Sequence, residues 1–337
     1  MEYRQLGRTG LHVSALALGT GNFGDMTSEE TARRILETAI EAGINLLDTA
    51  DGYCGGESER IIGRFLQDTG QRDRVLIATK VFYPTGPGPN DRGLSRHHVL
   101  RACEASLRRL GTDHVDLYLL HRSASLVTPI EETLEALTDL LRQGKVSYVG
   151  CSTFPAWQVM EALMVSAQRG FVRFVVESPP YNLLDRRAEN ERIPLCQKYG
   201  LGVLPWSPLA MGMLAGRYPA DGSFPEGSRA AQNPQGIYAQ RVSRRGARVG
   251  AGLAELAAPR GLSPGQLALL WVKDQPGVTA PIVGPRTTDQ LAEMLAVAER
   301  SADDDLRAAL DALNPPGTAI ANFHNTSGWL RTRLDAD

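Results

Sequence analysis

The chain predicts an α/β fold: a closed (β/α)8 barrel with an N-terminal β-hairpin. Three observations carry that prediction. Eight short apolar runs alternate with helical patterns along the 337 residues, the rhythm of parallel strands joined by crossover helices. An open doubly wound sheet would carry a glycine-rich G-x-G-x-x-G turn running from its first strand straight into a helix; GTGNFG does contain G-x-G after a strand, yet its helix begins several residues too late. Finally, Asp48, Lys80 and His121 close or directly follow apolar runs, with Tyr53 a short loop beyond one of them. On a barrel the C-terminal strand ends share one face, and catalytic groups collect there.

The elements follow in order. YRQLGRTGLHVSAL reads as two short strands around a glycine-containing turn. SALALGT is the first barrel run, and the helix after it is capped by Ser28 and stopped by Gly43. INLLD precedes the helical SERIIGRFLQDTG, and VLIATK precedes a helix capped by Ser95. VDLYLL, VSYVGCS and FVRFVVE each precede a helix, the last over RRAENERIPLCQKYG. GLGVLPW is the seventh run; TAPIVG, after the helical SPGQLALLWVKDQ, is the eighth, and TTDQLAEMLAVAER is the last helix. No composition shift marks a boundary, so one domain over 1–337 is expected. Two segments break the rhythm: the Pro/Gly-rich 82–94, and 216–236, which is too long for a passive connection and reads as a lid or a disordered loop. The polar tail beyond 314, with Phe323 and Trp329, is placed to reach over the barrel mouth.

Composition excludes several classes. An apolar fraction of 42% and a charged fraction of 22% are those of an ordinary water-soluble protein. A net charge of −2 offers no field for nucleic acid or an anionic membrane, and RRGAR at 244–248 reads as a solvated helix face. Cys54, Cys103, Cys151 and Cys196 have neither metal-ligand nor disulfide spacing. With no signal pattern and no apolar run near the ~18 residues of a membrane span, the expected compartment is the cytoplasm. No His-x-His pair ends the first strand and no other His/Asp cluster has ligand spacing, which argues against a metal-dependent barrel hydrolase.

An acid, a phenol, an ammonium and an imidazole in one pocket can deliver a proton to a carbonyl. Hydride transfer builds negative charge on the carbonyl oxygen, which a donor within hydrogen-bond reach must neutralise. A free tyrosine, with a pKa near ~10, is a poor acid–base catalyst at neutral pH; an adjacent ammonium would lower that value. Lys80 is the natural neighbour for Tyr53, one of only four lysines in an Arg-rich chain. Asp48 would hold Lys80 charged and in place, and His121 would orient the substrate oxygen. His114 lies ahead of its strand and reads as solvent-side.

Eight separated motifs, in order, carry a resemblance: LGRTGLHVSALALGT, LLDTADGY, IATK, VDLYLLHR, GKVSYVGCSTF, PPYNLLDRR, LPWSPLAMGMLAGRY and IVGPRTTDQLAEML. Together they resemble the aldo-keto reductases over nearly the whole chain. The resemblance implies a (β/α)8 barrel that binds NADPH, less often NADH, and reduces aldehydes and ketones, with Tyr53 as acid, Lys80 and Asp48 as its support and His121 as orienter. It implies cofactor contacts at Thr20, Gly21, Asp48, Ser152, Thr153 and Ser178, and stacking of the nicotinamide on Trp206. It places Ser207, Pro208, Leu209, Gly212, Leu214 and Arg217 at the pyrophosphate, and Gly284, Arg286, Gln290 and Glu293 at the adenosine end. Arg286 is the candidate for a 2′-phosphate, and with no acidic residue evident to favour a free ribose hydroxyl, NADPH is the expected cofactor. Phe23, Tyr53, Phe82, His121 and Arg122 are the expected lining for a small carbonyl substrate.

The sequence departs from the family pattern at three positions. Thr153 and Met294 stand where Asn is common, and Ser178 where Gln is common. Two other roles share the overall pattern: a channel-associated subunit that holds NADP and turns over slowly, and an NADPH-dependent reductase of nucleotide-linked deoxysugars.

Overall fold

The protein is described here by a computed structural model covering residues 1–124, 126–221 and 223–323; Trp329 lies outside the described residues. Tyr3–Gln5 (β1) and His12–Ser14 (β2) pair antiparallel as the expected hairpin. The barrel strands are Ala17–Gly19 (β3), Leu46–Asp48 (β4), Leu76–Val81 (β5), Val115–Leu120 (β6), Val146–Ser152 (β7), Phe174–Ser178 (β8), Gly202–Val203 (β9) and Ile282–Val283 (β10). They form one parallel sheet in the order β10-β3-β4-β5-β6-β7-β8-β9. Its two edges meet, because the Thr279 and Ile282 amides donate to the Val203 and Pro205 carbonyls at 2.9 and 2.8 Å. The fold is therefore the predicted (β/α)8 barrel.

Helices Glu29–Glu41 (α1), Glu57–Thr69 (α2), Arg96–Leu110 (α3), Ile130–Arg142 (α4), Ala156–Arg169 (α5) and Arg192–Tyr199 (α6) follow the first six barrel strands. Ser28 and Ser95 cap α1 and α3 through hydrogen bonds to the Thr31 and His98 amides. The sequence reads RRAENERIPLCQKYG as one helix, but the structure makes a 3-10 turn at Arg187–Glu189 before α6. Arg187 is drawn back there by a bidentate pair with Asp185 at 2.8 and 2.6 Å.

The segment after β9 is more ordered than its composition suggests. It holds the short helices Arg229–Gln232 (α7) and Ile237–Arg241 (α8), then Arg244–Ala257 (α9), ahead of Pro264–Lys273 (α10). Arg244, Arg245 and Arg248 face solvent on α9, as RRGAR predicts. The glycines on its inner face blur the apolar periodicity for a packing reason: a Cβ on Gly250 would sit 1.9 Å from the Met213 carbonyl oxygen. Only glycine allows the helix this close to the loop beneath it. Thr288–Leu295 (α11) and Asp304–Leu313 (α12) complete the outer layer. The tail then runs along the loop after β8, with Ile320 N–H on the Leu184 carbonyl and Phe323 buried.

Two apolar layers set the orientation of everything else. The outer one packs strands against helices. The inner one consists of Ala17, Leu46, Ala78, Leu117, Leu119, Val176, Leu204, Ala280 and Ile282, with Leu6 and Val13 of the hairpin closing the N-terminal end. Side chains alternate along a strand, so residues two positions beyond these also face the barrel axis, at its C-terminal mouth. They are Asp48, Lys80, His121, Ser178, Trp206 and Gly284.

Candidate active site

That alternation brings the predicted acid–base residues together. Lys80 Nζ lies 2.7 Å from the Asp48 carboxylate, 2.7 Å from the Thr49 carbonyl oxygen and 3.5 Å from the Tyr53 hydroxyl. Tyr53 arrives differently, on a 3-10 turn in which Cys54 and Gly55 take left-handed φ of 50° and 63°. That kink turns the phenol over the barrel mouth, against Gly21 on one side and edge-on to the His121 ring at 5.6 Å. Behind the pair, Thr20 and Thr49 hydroxyls meet at Ser58 Oγ, at 2.8 and 3.0 Å, and fix the ends of β3 and β4.

The electrostatics divide the roles. Burial opposes the Lys80 charge, but the Asp48 carboxylate and Tyr53 outweigh it and hold the ammonium's pKa above the ordinary lysine value. Lys80 is therefore cationic. For Tyr53, burial is the larger effect and pushes the pKa above 10, while Lys80 pulls the other way without overcoming it. The expectation that the ammonium would lower the net value is corrected here: desolvation of the phenolate exceeds one charge 3.5 Å away. His121 is held well below the usual imidazole range by burial, Arg122 and Lys80. A neutral imidazole follows, and its Nδ1 is buried without a hydrogen-bond partner.

A model of the aldo/keto reductase family matches residues 15–315. The chain belongs to the aldo/keto reductase family. It shares 41% identity with the "uncharacterized oxidoreductase YrpG" of Bacillus subtilis (strain 168), over 94% of this chain and 97% of that protein. It is also similar to two proteins named probable voltage-gated potassium channel subunit beta. The one from Oryza sativa subsp. japonica is 38% identical and that from Arabidopsis thaliana 37%, each over 87% of this chain and 90% of the relative. The protein is an oxidoreductase of this family.

The other predicted positions lie around the same mouth. Ser152 and Ser178 are adjacent in register between β7 and β8. Their hydroxyls donate to the Ser178 and Leu204 carbonyls at 2.9 and 2.7 Å, which leaves each oxygen with acceptor capacity toward the axis. Thr153 Oγ1 accepts from Trp206 Nε1 at 3.2 Å and from Arg122 Nη1 at 3.1 Å. The segment from Ser207 to Gly212 is tightly curled, with left-handed φ at Ser207, Ala210, Met211 and Gly212. Pro208 and Leu214 are buried beneath it and Arg217 is exposed. After β10, Gly284 is exposed and its carbonyl accepts from Asn22 Nδ2. Gln290 Oε1 accepts from the Arg286 amide, and Glu293 is engaged by Ser263 Oγ. Met294 lies in the core.

Of the expected substrate-lining residues, Arg122 stands at the mouth and Phe82 packs beneath Tyr83. Phe23 is wholly buried in the outer apolar layer. Tyr83, which sequence reasoning missed, stands edge-on to His121 at 5.0 Å. Its signal was its place: it closely follows a strand that already contributes Lys80. Arg241 of α8, its guanidinium 5.4 Å from the Trp206 ring centre, was also missed; nothing in the sequence distance between 206 and 241 announces that contact.

Thr153 carries a further cost. Its φ of 62° is left-handed, a conformation that a β-branched residue adopts only under strain and that Asn tolerates. Thr153→Asn is expected to stabilise the fold by about 1 kcal/mol, read as a raised midpoint in urea at unchanged slope. An unchanged or lowered midpoint would show that the hydroxyl's bonds to Trp206 and Arg122 outweigh the strain.

Proposed function

We propose that the protein is a cytoplasmic NADPH-dependent reductase of a small-molecule aldehyde or ketone. The observation that supports it best is the Asp48–Lys80–Tyr53 chain at the mouth of the barrel, with a neutral His121 beside it. The surroundings fit a nicotinamide dinucleotide. Trp206 offers a partly buried indole, Ser152 and Ser178 offer acceptors for a carboxamide, and Arg217 and Arg286 bring cations to the loops after β9 and β10, where barrels hold phosphates. Arg286 favours NADPH over NADH.

When bound, the cofactor supplies the hydride to the carbonyl carbon. Tyr53 donates its phenolic proton to the oxygen as charge develops there, and Lys80 stabilises the tyrosinate left behind. Asp48 keeps Lys80 charged and oriented. Neutral His121 directs the carbonyl oxygen toward Tyr53.

The test is NADPH oxidation with a panel of aldehydes and ketones across pH. Tyr53 has a raised pKa, so it stays protonated through the neutral range. Reduction is therefore expected to run flat from neutrality and fall only above the usual tyrosine value of ~10, while alcohol oxidation rises over the same interval. A fall centred near pH 7 would assign the proton to another group.

The two channel-subunit relatives support a second reading, an NADP(H)-holding subunit with little turnover. Tight NADPH binding without turnover on the whole panel would favour it.

A further inference from the structure

We propose that Arg122 is an oxyanion subsite, and that the carbonyl substrate carries a carboxylate or phosphate; this rests on the reductase reading above. Arg122 follows His121 directly, and its guanidinium lies 5.6 Å from the Tyr83 ring centre and 5.8 Å from that of Trp206. Both of its hydrogen bonds to described residues use Nη1, to the His121 carbonyl and to Thr153 Oγ1. Nε and Nη2 make none among the described residues.

Charge balance divides the partly buried arginines: Arg122, like Arg173, Arg192 and Arg260, has no ion pair among the described residues, but of these it is Arg122 that stands at the barrel mouth beside His121. Arg64, Arg72, Arg109, Arg186 and Arg187 each meet a carboxylate within 4.0 Å. Arg122 meets none among the described residues. Glu177 lies behind the barrel wall, where burial raises its carboxyl to about 7 against the pull of Arg192, the Thr153 and Phe154 amides and, least of these, Arg122. It makes no ion pair with Arg122 within 4.0 Å. The Arg122 charge is instead felt at the catalytic groups: it acts to lower the pKa of both Tyr53 and His121.

A guanidinium held beside two aromatic rings, with two N–H-bearing nitrogens unbonded to any described residue, is preorganised for an oxyanion. One placed beside the carbonyl-orienting imidazole selects substrates whose anionic group lies close to the reacting carbonyl. No water-filled surface position would give the same selectivity, because an exposed ion pair is worth little.

The test uses two substrate pairs: 4-carboxybenzaldehyde against its methyl ester, and glyceraldehyde 3-phosphate against glyceraldehyde. NADPH oxidation is followed in wild type, Arg122→Gln and Arg122→Lys, with NADPH affinity measured separately. In Arg122→Gln the kcat/KM ratio of anionic to neutral substrate is expected to fall by about tenfold to a hundredfold, chiefly through KM. Arg122→Lys should keep part of the ratio, since it retains the charge without the planar fork. A fall confined to one pair identifies the oxyanion as carboxylate or phosphate. Ratios that match wild type in both pairs overturn the proposal, and a loss of NADPH affinity alongside them would assign Arg122 to the cofactor. Should wild type oxidise NADPH with none of the four, the reductase reading fails by itself. Calorimetry with 4-carboxybenzaldehyde and inorganic phosphate then decides: binding that Arg122→Gln abolishes sustains the subsite, and no binding to wild type ends it.

Discussion

Tyr53→Phe is expected to lower carbonyl reduction by about 10²- to 10⁴-fold, the range over which a positioned acid acts. The change removes one oxygen and little else. The ring keeps its edge-on contact with His121, and among the described residues the hydrogen bond lost is the 3.5 Å contact from Lys80. Folding and NADPH affinity should therefore hold, which makes the rate loss interpretable. The loss should appear in kcat and in kcat/KM alike, because the proton is needed in the transition state and not for substrate binding. His121 cannot substitute as acid near neutrality, since burial, Arg122 and Lys80 keep its imidazole unprotonated. A variant retaining activity within threefold, by the same NADPH assay, would show that the proton comes from elsewhere, and the role given to Tyr53 would be withdrawn.

Lys80→Met is expected to cost about 3–5 kcal/mol of stability as well as activity, the penalty for stripping a buried ion of its partner. Lys80 and Asp48 are both nearly inaccessible, with side-chain exposures of 3% and 4%. Removing the ammonium leaves a carboxylate with no cation in a site where burial already pushes its pKa upward. The sign of the pH dependence follows. A carboxyl whose folded pKa exceeds its unfolded value, near ~3.9, carries its full penalty above the folded pKa and none below the unfolded one. Urea melts of Lys80→Met should thus approach wild type as pH falls toward the unfolded carboxyl value of ~3.9 and separate from it as pH rises above that value and the buried carboxyl ionises. Asp48→Asn combined with Lys80→Met should recover most of the stability, because the buried charge is gone, without recovering turnover. Equal destabilisation of the single and double variants would mean that lost packing around the lysine stem, and not the orphaned charge, sets the cost.

Much of the site was legible before any fold was known. Strand ends are readable because apolar runs end abruptly, and a period of two then places Asp48, Lys80 and His121 on the same side of the sheet. Ser28 and Ser95 were readable as caps because their hydroxyls satisfy amides within the same turn. What escaped the sequence depended on distance across the chain. The glycines of α9 look like breakers until Met213 is seen pressed against Gly250. Arg241 lies in the stretch after β9 that sequence left as an interruption, and only packing sets it over Trp206.

The alternation of apolar runs and helices, the placement of the acid–base residues at strand ends and the caps of the first and third helices were thus determined by the sequence alone, because each is a local pattern of burial or hydrogen bonding. The tertiary structure decided three other things: which way the Tyr53 pKa moves, that Thr153 is held in a left-handed conformation, and that Arg122 has no carboxylate partner among the described residues. Each of these depends on the balance between desolvation and charges brought together from separate strands, or on the backbone path that closing a barrel imposes, and neither quantity exists until the chain has folded.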